Sequence, residues 1–125
     1  MVVLITGKAN AGKTYYAVQL INELKDSDTP IAHIDGDIWR QQTENNDYSD
    51  KGRYKNLMQA ARKAAEYERL GYLVVCSFVS PKKKWRDAMR CHWKESIVMY
   101  IPGGELWPGT EYERPDFNEL QLKKS

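Results

Sequence analysis

Residues 7–14 read Gly7-Lys8-Ala9-Asn10-Ala11-Gly12-Lys13-Thr14, a complete G-x-x-x-x-G-K-[ST] pattern. It follows the apolar run Val2-Val3-Leu4-Ile5 and leads directly into a helical pattern. That context constrains the fold more than any other stretch. A buried strand aims the backbone at the loop, and glycines permit a tight turn and close approach of the main chain. The loop N–H groups and the start of the next helix then form a concavity for anions. Lys13 is expected to reach the β- and γ-phosphates of a nucleoside triphosphate, and the Thr14 hydroxyl to ligate Mg²⁺. ATP with Mg²⁺ is the expected pairing.

The rest of the chain supports one domain around this loop. Apolar residues at Ala17, Leu20, Ile21 and Leu24 mark one face of a helix, which Asp26-Ser27-Asp28-Thr29-Pro30 closes with turn chemistry. Ile31-Ala32-His33-Ile34 reads as a second strand, with Asp35-Gly36-Asp37 at its carboxyl end. A short helix can begin at Ile38-Trp39-Arg40, and the polar residues 41–51 read as loop. A long helix is expected over 52–70, with Tyr54, Leu57, Met58, Ala61, Ala64 and Ala65 on one face and Gly71 as its stop. Tyr72-Leu73-Val74-Val75-Cys76 is a third strand, apolar on both faces like a central parallel strand.

Ser80-Pro81 opens a further helix whose inner face carries Trp85, Ala88, Met89 and His92. Ile97-Val98-Met99-Tyr100-Ile101 is a fourth strand, cut off by Pro102-Gly103-Gly104. Residues 102–125 lack a period and are expected to wrap the body as an extended tail. Strands alternating with helices imply a three-layer α/β P-loop NTPase fold. Its mainly parallel sheet would have about four to five strands, with helices on both faces and right-handed crossovers.

Composition narrows the class only modestly. At 125 residues, with 29% charged side chains, the chain is an ordinary globular domain. A net charge of +2 gives no reason to expect a nucleic-acid partner. No run approaches the ~20 apolar residues of a membrane span, and the first strand feeds the phosphate loop and so does not read as a removable signal. Cys76 and Cys91 lack metal-ligand spacing and are expected to be reduced thiols of a cytoplasmic protein. His33 and His92 stand apart from other ligand types, which favours structural or surface roles.

Acidic groups at a second strand end point toward phosphoryl transfer. A kinase acting on an alcohol needs one carboxylate to accept or orient the hydroxyl proton and another group to organise Mg²⁺ or substrate. Asp35 and Asp37 suit both tasks, although an Asp-Gly-Asp segment is also ordinary turn chemistry. Arg40, Arg53 and Asn56 can face the same cleft and suit an anionic substrate, because guanidinium groups grip phosphate or sulfate in bidentate fashion. Arg86 and Arg90 lie four apart and suit a helix closing over the transferring phosphate. Lys82, Lys83 and Lys84 read better as a solvated face.

Several separated motifs together resemble the adenylyl-sulfate kinase family. Asp35-Gly36-Asp37-x-x-Arg40 matches the family's D-G-D-x-x-R, and Tyr48-Ser49-x-x-Gly52-Arg53-x-x-Asn56 is similar to its F-S-x-x-D-R-x-x-N. Ser77-Phe78-Val79-Ser80-Pro81 and Arg86-Asp87-x-x-Arg90 continue the likeness, as does Trp107-Pro108-Gly109-Thr110-Glu111-Tyr112-Glu113-Arg114-Pro115. The resemblance implies transfer of the ATP γ-phosphate to the 3′-hydroxyl of adenylyl sulfate. It casts Lys13 and Asp35 as catalytic, and Asp37, Arg40, Arg53, Asn56 and Ser80 as substrate-binding. Tyr48 and Trp107 would stack on the adenine. It also admits a homodimer.

The chain departs from the pattern at Gly52, where the family has Asp, and at Lys82, where an aromatic is usual. An R-D-x-K-G-L-Y segment expected after the fourth strand is absent. These departures keep two alternatives open: a kinase for a different nucleotide-like or small-molecule alcohol, and a nucleotide-binding protein without catalysis.

Overall fold

The structure, a computed structural model, describes residues 1–106, 108 and 110–125. Its centre is β1 (Val2–Thr6), buried along its whole length. Strand alternation sends successive side chains to opposite faces. Val2 and Leu4 accordingly join one core cluster, and Val3 and Ile5 the other. β1 pairs in parallel with β3 (Leu73–Phe78) and with β4 (Glu95–Tyr100), while β2 (Ile31–Asp35) pairs with the outer side of β3. A two-residue antiparallel strand, β5 (Lys123–Lys124), completes the order β2-β3-β1-β4-β5.

Helices cover both faces, which gives the expected three-layer α/β arrangement. α1 (Lys13–Leu24) places Ala17, Leu20 and Ile21 against the smaller cluster. α3 (Asp50–Arg69) and α4 (Lys83–Arg90) pack on the larger one through Leu57, Met58, Ala61, Ala64, Trp85 and Met89. The alanines of α3 let the helix lie close to the sheet, where small side chains leave no gap to fill. No described helix is long and apolar enough to cross a membrane.

Several boundaries differ from those read in the sequence. A short helix, α2 (Gly36–Gln42), starts immediately after Asp35, whose side chain accepts hydrogen bonds from the N–H groups of Asp37 and Ile38. The Asp-Gly-Asp segment is thus a helix N-cap, not a free turn. α3 begins at Asp50, capped by the Ser49 hydroxyl on Gly52 N–H, so the polar loop is shorter than expected. Pro81 does not open α4. Ser80 adopts φ 37°, and the helix starts only at Lys83.

Two inner-face assignments also change. Tyr54 is 42% exposed, and His92 is exposed while its neighbour Trp93 is buried and donates to Ala61 O at 2.9 Å. α4 ends at Arg90, so the helical period that placed His92 inside no longer applies there.

The tail runs back along α4 and ends as β5. Arg86 and Arg90 bind it, which corrects their assignment as charges above the phosphate. Arg86 is fully buried, with Nε 2.6 Å from Glu119 Oε2 and its other nitrogens donating to Ser80 O and Glu113 O. Arg90 donates to Ser96 Oγ and to the carbonyls of Ser96, Glu119 and Gln121. Buried guanidinium groups demand acceptors, and the tail provides several of them through the Glu119 carboxylate and the carbonyls of Glu113, Glu119 and Gln121.

Candidate active site

The phosphate loop leaves the carboxyl end of β1 at the middle of the sheet. Gly7 is required there, because a Cβ would lie 2.6 Å from Ile101 O. Gly12 takes φ +97°, a left-handed conformation that side chains other than glycine seldom adopt. α1 then starts at Lys13 with no side-chain cap on its first N–H groups, leaving those donors and the positive end of the helix dipole at the loop. Lys13 Nζ donates to Lys8 O at 2.7 Å. Burial lowers the Lys13 pKa, while Asp37 and then Asp35 act in the opposite sense.

β2 ends beside this loop. Thr14 Oγ1 donates to Asp35 Oδ2 at 2.6 Å, and Ser77 Oγ donates to the same oxygen at 3.3 Å. Asp35 Oδ1 takes the N–H groups of Asp37 and Ile38 at 3.0 and 3.3 Å. Burial works to raise the Asp35 pKa, but these donors and the neighbouring His33 outweigh it, and the net shift is downward. Asp35 is therefore an ionised carboxylate with both oxygens engaged. The Asp37 side chain is exposed to the cavity.

One cavity of about 470 Å³ joins these groups. Its walls include Ala9, Asn10, Gly12, Lys13, Thr14, Asp35, Asp37, Arg40, Tyr48, Arg53, Asn56 and Ser80. Most of the residues singled out in the sequence thus meet in one place. Gly7, Lys8 and Ala11 belong to the loop but not to the lining.

The geometry refines what several of them present. Arg40 donates through Nη1 to the carbonyls of Asn45 and Asp47 and lies 4.5 Å from the Tyr48 ring centroid, so one arm of its fork braces the loop carrying Tyr48. Asn56 is buried; its Oδ1 accepts from Thr43 Oγ1 and its carbonyl from Trp39 Nε1. Ser80 turns its hydroxyl to Met89 Sδ at 3.5 Å. Trp107 lies outside the described residues.

Some of the cavity was not foreseen. Glu105, Leu106, Thr110 and Glu111 of the tail form part of its wall. The tail reaches it because Glu105 N–H donates to Ala9 O at 2.8 Å, an antiparallel bridge across the phosphate loop. Gly104 permits that approach, since a Cβ there would stand 2.5 Å from Ala9 O. The Gly103-Gly104 pair is the sequence signal for that approach.

The oxygen donors at the mouth fit a hard cation. Thr14 and Asp35 offer a hydroxyl and a carboxylate within hydrogen-bond distance, and Mg²⁺ sites use few protein ligands beside phosphate and water. Among the described residues no group of three or more His, Cys, Asp or Glu forms a metal cage.

An uncapped helix start, a glycine loop and a carboxylate bonded to the loop threonine define a P-loop nucleotide-binding protein of the α/β class. The family model for adenylylsulphate kinase matches residues 1–102, and the chain belongs to that family. A probable adenylyl-sulfate kinase of Pseudomonas aeruginosa is 34% identical over 101 residues, covering 80% of this chain and 47% of the relative. One from Aeropyrum pernix is 35% identical over 103 residues, covering 81% and 56%.

Among solved structures, the Mycobacterium tuberculosis APS kinase in complex with AMPPNP and APS superposes with a TM-score of 0.75. It has 21% identity and covers 81% of this chain and 61% of that one, a likeness of fold. The chain spans about half the length of the curated relatives it matches.

Proposed function

We propose that this domain transfers the γ-phosphate of ATP to the 3′-hydroxyl of adenylyl sulfate, giving 3′-phosphoadenylyl sulfate and ADP. One observation carries the reading: the loop threonine and the strand-end aspartate meet at 2.6 Å on a cavity that also holds Asp37, Arg40, Arg53 and Tyr48. Family membership points the same way.

The residues divide the work between them. Loop N–H groups and Lys13 hold the phosphates and offset charge that builds on the departing ADP. Thr14 and Asp35 would hold Mg²⁺, which when bound neutralises phosphate charge. Asp35 already accepts four hydrogen bonds and is a poor proton acceptor. Asp37 is exposed in the cavity and is the better group to orient the 3′-hydroxyl and take its proton as the new P–O bond forms. The bond from γ-phosphorus to the β–γ bridging oxygen breaks in the same step. Tyr48 offers an aromatic face to adenine, and Arg53 a guanidinium to the phosphosulfate.

A coupled assay for ADP release tests this, with adenylyl sulfate compared against guanylate, nucleosides and gluconate. Release that depends on adenylyl sulfate is the expected result. Equal rates with and without it would overturn the proposal.

A further inference from the structure

His33, expected from the sequence to be a structural or surface residue, is exposed, and the fold also places it on the same line as the Thr14–Asp35 pair. Strand alternation puts His33 and Asp35 on one side of β2. The parallel register aligns Asp35 with Ser77 of β3. His33 Nε2 lies 3.0 Å from Ser77 Oγ, and Ser77 Oγ lies 3.3 Å from Asp35 Oδ2. Asp35 Oδ2 in turn takes the Thr14 hydroxyl at 2.6 Å. An ionised carboxylate can only accept, so the single Ser77 proton points to Asp35. The Ser77 oxygen must then receive its own hydrogen bond from His33, which sets the ring as the Nε2–H tautomer.

We propose that His33 is a positioning residue which, through Ser77, holds the Asp35 carboxylate in the orientation that meets Thr14 and a magnesium-bound nucleotide. The proposal rests on reading the loop as a Mg²⁺·nucleotide site. His33 does not itself line the cavity; it reaches the site through Ser77, which does, by fixing the direction of the Ser77 hydroxyl. Without it that hydroxyl can rotate, and Asp35 loses its second donor on Oδ2. Partners one step removed from a metal-binding group commonly tune its affinity in this way.

The test is calorimetric binding of AMPPNP to the whole chain, with Mg²⁺ and with EDTA. The wild type is expected to bind more tightly with the metal. His33→Phe and Ser77→Ala should each reduce that metal-dependent gain by roughly tenfold, leaving affinity in EDTA unchanged. The double variant should lose no more than either single one, since both break one chain of hydrogen bonds. His33→Gln, whose amide N–H can replace Nε2–H, should restore the gain.

A purely structural histidine would shift both affinities and would not be rescued selectively. An unchanged gain in His33→Phe, or additive losses in the double variant, would overturn the relay alone. A wild-type chain that binds neither form would overturn the nucleotide reading and the relay with it.

Discussion

Arg86 and Glu119 form an ion pair at 2.6 Å with both side chains withdrawn from water, joining α4 to the tail. Removing one partner leaves an uncompensated buried charge, which typically costs about 3–5 kcal/mol. Glu119→Ala should lower the unfolding free energy by that order in urea denaturation. Glu119→Gln should cost less, because the amide oxygen can still accept from the guanidinium.

Lys13→Ala should remove several kcal/mol of transition-state stabilisation, seen as a fall in kcat/KM in the ADP-release assay. Asp37→Asn should lower kcat by roughly two to four orders of magnitude if it handles the hydroxyl proton. Asp35→Asn should instead show its main effect in the concentration of Mg²⁺ needed for half-maximal rate.

Gly52 stands where relatives were expected to carry Asp. A Cβ there would overlap Asp47, whose carboxylate binds the N–H and hydroxyl of Ser49. Gly52→Asp should therefore displace the loop bearing Tyr48 and destabilise the chain by about 1–3 kcal/mol. In steady-state kinetics it should raise the acceptor KM more than it lowers kcat. Tyr48→Ala should show the same pattern with little loss of stability.

The Asp35 carboxyl sits below its ordinary range because the donors around it favour the charged form. A group whose folded pKa is depressed contributes stability that is complete above its unfolded value and is lost as pH falls through the folded one. Thr14→Val removes the shortest of those donors and should move acid unfolding, followed by circular dichroism, to higher pH.

Much of the site was legible because its parts obey local rules. A glycine loop after a buried strand needs only neighbouring residues to be recognised, and so does an aspartate pair at a strand end. Arg86 and Arg90 show where such reading fails. Their spacing correctly placed them near one another on a helix, but which way that face looked depended on Glu119 and on carbonyls as far along as Gln121. His33 is the converse case, bland as an isolated residue and informative only beside a serine 44 positions away.

From residue order alone came the phosphate loop, the alternation of strands and helices, and the family resemblance. Each is encoded in period, in backbone freedom or in a short motif, and those are properties of contiguous residues. Tertiary structure decided that Asp35 is saturated while Asp37 faces the cavity, that the arginines of α4 clasp the tail, and that the tail crosses the phosphate loop at Ala9. These outcomes depend on buried polar groups finding partners far along the chain, and only the packed fold determines which partners lie within reach.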